Sequence, residues 1–284
     1  MNLDMEQNLK IAAEKLIRLA MEEDVQTGDI TTDLIIPEGA VMKAFLKAKE
    51  DGVIAGLPVA EMVFMELNKN IKWNAEVKEG AKVKSGTVIA RVEGSHRALL
   101  TGERTALNFL QRMSGVATET SKYVEALSKY KTKILDTRKT LPAHRLLDKY
   151  AVKVGGGTNH RIGLYDMVMI KDNHIKVAGS ITKAVEQIKA KLKPGIKIEV
   201  ETTNLAEVKE ALDCKVDIIM LDNMSTEMMK EAVALIDRKA LCEASGSIKI
   251  NRVKEIAETG VDFISVGALT HSVKALDIGM YIED

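Results

Sequence analysis

The chain has 284 residues, 46% of them hydrophobic and 29% charged, enough for one large domain or two modest ones with packed cores. Its 41 Lys and Arg balance 41 Asp and Glu, which argues against a broad nucleic-acid footprint and leaves any electrostatic function to local arrangement. Cys214 and Cys242 form no CxxC pair and no disulfide framework, and read as small buried residues of a reducing compartment.

The N-terminal run MNLDMEQNLKIAAEKLIRLAMEED is too charged for a signal peptide. Leu9, Ala12, Ala13, Leu16, Ile17 and Ala20 recur at helical spacing, so an amphipathic helix is expected. No run approaches the ~20 apolar residues of a membrane span, and a cytoplasmic location is expected.

In Val41–Glu50 alternation puts Met42, Ala44, Leu46 and Ala48 on one face of a half-exposed strand. Asp51-Gly52 turns the chain into a second apolar run, Val53–Leu57. Pro58 then opens a helix through Leu67, where its missing N–H costs nothing. IKWNAEV and TVIARVEG follow as strands around KEGAKVKSG. This is an α+β module with an antiparallel or mixed sheet. The segment EGAKVKSGTVIARVEG also resembles half of a lipoyl- or biotin-carrier domain, but Lys82 and Lys84 lack the setting of a modified lysine.

A long helix is expected over Ser95–Tyr130, with Gly115 as a potential break. Arg104 and Arg112 fall on roughly one face of it and read, by themselves, as solvated surface residues.

From Lys131 the rhythm becomes strand, helix, strand, helix. Six apolar runs, KILDTR, DMVMIKDNH, KIEVETT, DIIMLDN, ALCEASG and DFISVGA, alternate with helical patterns such as SITKAVEQIKAKL. Nearly continuous apolar strands mean a parallel sheet covered by helices. Six units suggest an incomplete β/α barrel, short of the usual eight. A doubly wound open sheet competes, although no GxGxxG follows the first strand.

Each run ends in polar residues: Asp136 and Arg138; Lys171, Asp172 and Asn173; Glu199 and Glu201; Asp222 and Asn223; Glu243 and Ser245; Ser265 and Gly267. Parallel strands bring these ends to one face, where β/α barrels carry their active sites. The early strands supply the cations Arg138, Lys139, His160, Arg161 and Lys171; the middle strands supply the acids Glu201 and Asp222. The late strands supply small residues before helices, in Ser245–Ser247 and Val266–Ala268, where backbone N–H groups can hold a phosphate. The face therefore suits a phosphorylated sugar together with a carboxylic acid. The five histidines form no HxH or HExxH metal pattern. His96 reads as helix surface, His271 as structural, His144 as a helix-start residue, and His174 as a hydrogen-bond partner behind the site.

DTRKTLPAHRLLDKYAVKVGGGTNHRIGLYDMVMIKDNH resembles the signature region of quinolinate phosphoribosyltransferase, the decarboxylating nicotinate-nucleotide pyrophosphorylase. The similarity extends in order through EDVQTGDITTD, LTGERTALNFLQRMSGVAT, IEVET, LDN, EASGSI and ISVGALTHS, nearly the whole chain. It implies an N-terminal open α/β sandwich, residues 1–115, and an incomplete parallel α/β barrel of about six strands, residues 116–271, with 272–284 free to pack back on the first domain. It implies transfer of phosphoribose from 5-phosphoribosyl-1-pyrophosphate to quinolinate, with magnesium, in NAD biosynthesis. It implies a homodimer, or dimers stacked as a hexamer, in which Arg104 reaches the neighbour's site. On this sequence Arg138, Arg161 and the partner's Arg104 would bind the two carboxylates, and His160 and Lys171 would line the same basic pocket. Lys139 and Lys171 would meet the phosphates. Glu201 and Asp222 would hold the ribose or magnesium. Ser245, Gly246, Gly267 and Ala268 would hold the 5′-phosphate. Rival readings are a same-fold paralogue associated with molybdenum transport, a Schiff-base aldolase using Lys171, and a carrier modified on Lys82 or Lys84.

Overall fold

The computed structural model describes residues 3–283. Met1, Asn2 and Asp284, which the boundaries 1–115 and 272–284 include, lie outside the described residues. In chain order the elements are α1 (Leu3–Asp24), α2 (Ile30–Ile35), β1 (Val41–Ala48), β2 (Gly52–Val53), α3 (Leu57–Leu67), β3 (Lys72–Ala75), β4 (Lys82–Val83), β5 (Val88–Ser95) and α4 (His96–Ala126). There follow β6 (Lys133–Leu135), α5 (Arg145–Val154), β7 (Val168–Ile170), α6 (Asp172–Ala178), α7 (Ile181–Lys189), β8 (Ile198–Thr202) and α8 (Leu205–Asp213). The chain ends with β9 (Ile218–Asp222), α9 (Thr226–Ile236), β10 (Leu241–Ser245), α10 (Val253–Ala257), β11 (Phe263–Ser265), α11 (Ala268–His271) and β12 (Ile278–Ile282). No described helix is long and apolar enough to cross a membrane.

The residues fall into two compact units. One holds the chain through Ser121, Thr140–Gly156 and the segment from Thr270 onward. Its sheet is antiparallel, in the order β12-β1-β5-β3, with a separate β2-β4 ribbon. The alternation of β1 is realised: Met42, Ala44, Leu46 and Ala48 are buried while the intervening side chains are exposed or half-buried. The amphipathic α1 buries Ala13, Ile17 and Met21 and packs on α3 and α5. Glu79 caps the start of α3, accepting the N–H groups of Gly56 (3.0 Å) and Leu57 (2.8 Å), and takes the Tyr150 hydroxyl of α5 at 2.8 Å.

α4 does not break at Gly115. It runs unbroken from His96 to Ala126. A Cβ at Gly115 would lie 2.3 Å from the Lys274 carbonyl oxygen and 3.1 Å from the Ala275 Cα, so the glycine admits the C-terminal segment against the helix. Arg112 is likewise not a solvated surface residue; it pairs with the fully buried Asp148.

The second unit holds a six-stranded sheet in the order β6-β11-β10-β9-β8-β7, every pair parallel. Each expected apolar run from Lys131 onward contributes one strand. β6 and β7 are the two edges, so the ring of strands is left open, as an incomplete barrel requires. β8, β9 and β10 are buried along most of their length, as strands of a two-side-covered sheet are. α7, α8, α9 and α10 pack in succession, and their N-caps Ser180, Asn204 and Ser225 accept N–H groups at the starts of α7, α8 and α9.

Candidate active site

The C-terminal ends of the six parallel strands place the expected residues of the second unit on one face. Arg138 and Lys139 follow β6, and Lys171 follows β7. Glu201 lies on β8 and Asp222 ends β9. Ser245 ends β10, paired in register with Asp222, and Gly246 follows it. Gly267 and Ala268 follow β11, the neighbour of β10. Arg104 belongs to the other unit, on α4, where its side chain is exposed.

Asp136 organises the β6 edge. It is fully buried, and its carboxylate accepts the Asn159 Nδ2–H at 2.6 Å and the His160 backbone N–H at 2.8 Å. Its own N–H donates to the Thr158 carbonyl (3.2 Å), and the Thr158 N–H donates to Ile134 (2.9 Å), so Thr158 to His160 run beside β6. The DTR and TNHR segments, far apart in sequence, are thereby one ledge.

That ledge aims two guanidiniums. Arg161 donates from Nη1 to the Met167 carbonyl (3.1 Å), and Asp166 closes the following turn by accepting the N–H groups of Ile162 (2.7 Å) and Gly163 (2.8 Å). Burial weakens the hold of Arg161 on its proton, and the nearby Arg138 charge weakens it further. Two guanidiniums at one strand-end ledge form a seat for an anion, best one with two carboxylates.

Beyond them, Lys171 Nζ forms an ion pair with Glu201. An ammonium held by a carboxylate is engaged as a cation, which disfavours the Schiff-base reading of this lysine. His174 supports Lys171 from behind: its Nδ1 accepts the Lys171 backbone N–H at 2.9 Å. At Gly246 the backbone is left-handed (φ +103), and a Cβ there would fall 2.2 Å from Asn223 Oδ1. The Asn223 N–H donates to the Ser245 carbonyl (3.0 Å), so the ends of β9 and β10 are drawn together at the expected phosphate cradle. The carrier-like segment carries no comparable setting: Lys84 is an exposed lysine paired with Asp51 at 2.7 Å.

Sequence reasoning gave no role to Glu199 and Glu243, which are fully buried inside the sheet. His160 Nε2 lies 3.1 Å from Glu199 Oε2 and 3.2 Å from Glu243 Oε2, and its Nδ1 accepts the Arg161 N–H at 2.7 Å. Both ring nitrogens are therefore committed to protein groups. Burial opposes charge on His160, but the two carboxylates more than reverse this and raise it to about 10. Burial raises Glu199 to about 7 against the pull of His160. One shift assigns an extra proton to the ring and the other assigns it to the carboxylate. The Arg161 amide decides between them: it occupies the Nδ1 lone pair, so the ring stays neutral with its proton on Nε2, the side that faces the two carboxylates. The signal in the sequence was the pair of acids within apolar strands, Glu199 in KIEVE and Glu243 in LCEAS, whose strands β8 and β10 flank β9.

The chain is similar to known proteins along nearly its whole length. The family model "Quinolinate phosphoribosyl transferase, C-terminal domain" matches residues 116–281, and the corresponding N-terminal domain model matches 29–114. A chloroplastic nicotinate-nucleotide pyrophosphorylase (carboxylating) of Oryza sativa subsp. japonica is 46% identical, over 94% of this chain and 77% of its own. A probable enzyme of the same name from Synechocystis is 47% identical, over 92% and 90%. The solved nicotinate-nucleotide pyrophosphorylase of Francisella tularensis superposes with a TM-score of 0.92 at 46% identity, covering 96% of each chain.

Proposed function

The chain belongs to the quinolinate phosphoribosyl transferase family, and from that premise we propose that it joins quinolinate to 5-phosphoribosyl-1-pyrophosphate, giving nicotinate mononucleotide, carbon dioxide and pyrophosphate. This makes it a pentosyltransferase of NAD biosynthesis. The observation that carries the reading is the gathering of Arg138, Arg161 and the Lys171–Glu201 pair at the C-terminal end of one parallel sheet, with the Arg138 charge felt at Arg161. Quinolinate bears two carboxylates on adjacent ring carbons and matches two guanidinium forks.

Each group then has a task set by its charge. Arg138 and Arg161 hold the diacid with its ring nitrogen facing the sugar. Ser245, Gly246, Gly267 and Ala268 hold the 5′-phosphate through backbone N–H groups. Glu201 and Asp222 hold the ribose hydroxyls and stabilise positive charge at the anomeric carbon as its bond to pyrophosphate lengthens. Lys139 and Lys171 face the departing pyrophosphate. The pyridine nitrogen forms the new bond to the anomeric carbon. The ring, now cationic at nitrogen, accepts the electron pair left when the adjacent carboxylate departs as carbon dioxide, and a proton then adds at that carbon. Positioning and fixed charge supply most of the acceleration.

Magnesium fits the donor set, since Glu201 and Asp222 offer carboxylate oxygens at neighbouring strand ends and magnesium binds through one or two carboxylates plus substrate phosphates. When bound it would neutralise charge on the pyrophosphate. In solution the chain is a homodimer, or dimers stacked as a hexamer, with Arg104 completing the partner's site; its exposure on α4 supports this reading.

The test is incubation with quinolinate, phosphoribosyl pyrophosphate and magnesium, following carbon dioxide and the nucleotide product. Nicotinate, lacking the second carboxylate, should fail as acceptor. No product from quinolinate, or equal turnover of nicotinate, overturns the assignment.

A further inference from the structure

We propose that Glu199 and Glu243 are positioning residues, which grip the His160 imidazole from inside the sheet and through it fix the Arg161 backbone at the substrate mouth. The proposal rests on the quinolinate reading for its kinetic consequence, though its geometry stands by itself.

Both carboxylates are completely buried, and none of their four oxygens has a well-formed hydrogen bond among the described residues. Burying a carboxylate without donors is costly, and aliphatic side chains at the same strand positions would carry no such cost. The group facing both is His160, whose Nε2 is nearly equidistant from them, 3.1 and 3.2 Å. The ring nitrogen thus faces two acceptors, an electrostatic grip that resists rotation of the ring toward either. The opposite ring nitrogen accepts the Arg161 N–H at 2.7 Å, and Asp136 accepts the His160 N–H at 2.8 Å. The chain at His160–Arg161 is therefore held at three points: Asp136 on the His160 amide, the His160 ring on the Arg161 amide, and the two glutamates on the ring. Arg161 leaves this anchor with its guanidinium feeling the Arg138 charge. His160 itself has only 6% of its side chain exposed, so its contribution to the diacid passes through Arg161.

The same three residues offer ligand atoms within 4.8 Å of one another, a spacing that also suits a divalent cation. The tautomer decides against that occupant. A ligating imidazole gives the lone pair of one nitrogen to the metal and donates N–H from the other. Here the Arg161 amide already uses the Nδ1 lone pair, which leaves the proton on Nε2, where the metal would bind.

E199Q and E243Q keep shape and an acceptor oxygen but remove charge. Either should lower kcat/KM for quinolinate about 10- to 100-fold, the scale for losing a partner that orients a binding group. KM for phosphoribosyl pyrophosphate should stay within twofold, and circular dichroism should remain native. Loss confined to general instability would move both substrates together and would overturn the proposal, as would unchanged quinolinate kinetics. A second measurement needs no turnover. In histidine-¹⁵N-labelled wild-type protein, long-range proton–nitrogen spectra should show one imidazole, absent in H160N, with protonated Nε2 and bare Nδ1. The opposite tautomer at His160, or stoichiometric Zn²⁺ uptake that E243Q abolishes, overturns the proposal in favour of a metal site. If wild-type enzyme fails to use quinolinate while the spectrum shows the expected tautomer, the substrate assignment falls and the anchor stands.

Discussion

Arg112 on α4 and Asp148 on α5 meet as a two-point pair, Nε to Oδ1 at 3.1 Å and Nη2 to Oδ2 at 2.8 Å. Asp148 is fully buried, and Arg112 also donates to the Thr270 carbonyl at 3.2 Å, so one guanidinium ties α4, α5 and the start of the C-terminal segment. Removing one partner strands the other charge in a dry setting. Asp148→Asn or Arg112→Ala should therefore destabilise the fold by about 3–5 kcal/mol, the range for breaking a buried pair. Urea denaturation measures it; a loss below about 1 kcal/mol would mean that the pair is effectively solvated.

At the mouth of the parallel sheet, Arg161→Ala and Lys139→Ala should each lower kcat/KM by roughly 10²–10³, the scale for deleting one preorganised donor. The two should differ in character. Arg161→Ala should act mainly on the quinolinate KM, since its guanidinium meets the ground-state diacid. Lys139→Ala should act mainly on kcat, since charge on the leaving pyrophosphate grows along the reaction. An effect under twofold would remove the residue from the site.

How far the sequence carries the structure depends on the range of each interaction. The six parallel strands are legible because continuous apolar runs bounded by turns record burial on both faces locally. Lys171, Glu201 and Asp222 are legible as a set because each ends such a run and parallel strands share a direction. The pairing of β12 with β1 joins Ile278–Ile282 to a strand more than two hundred residues earlier, and no local pattern records that register. Gly115 looked like a helix break because the contact that demands it, the Lys274 backbone, comes from far along the chain. Glu199 and Glu243 were visible as strand-end acids, but their joint approach to His160 was hidden for a related reason. A strand buried on both faces gives no alternation to say which acid points inward, and the histidine they face arrives from a loop before β7.

Glu199 also sets a pH dependence. Burial raises its carboxyl from 4.5 to about 7 in the folded protein. A group raised on folding contributes stability that is complete below its unfolded value and is lost as pH rises through its folded value. The contribution of Glu199 should be present near pH 4 and disappear between about pH 4.5 and 7, amounting to at most about 3 kcal/mol. Denaturation midpoints of wild type and E199Q, compared from pH 5 to 8, isolate it from other carboxylates. The wild type should lose stability relative to E199Q as pH rises; parallel curves would show that Glu199 ionises as an ordinary surface acid.

Lys171 stands at the N-cap of α6, and its backbone N–H is held by His174 Nδ1 at 2.9 Å, while the His174 N–H returns to the Lys171 carbonyl at 2.8 Å. This reciprocal cap fixes where the Lys171 backbone points before its side chain reaches Glu201. His174→Ala removes the acceptor. Water can satisfy the freed N–H at this exposed turn, so the fold should lose only about 1 kcal/mol. Loss of aim at Lys171 should lower kcat/KM roughly fivefold, the same free energy expressed as a rate. His174→Gln supplies a side-chain oxygen at the position favoured for such caps and should recover most of the loss. Recovery by glutamine but not by alanine would place the effect in the hydrogen bond to Lys171; equal activity of the alanine variant and the wild type would show that Glu201 alone orients the lysine.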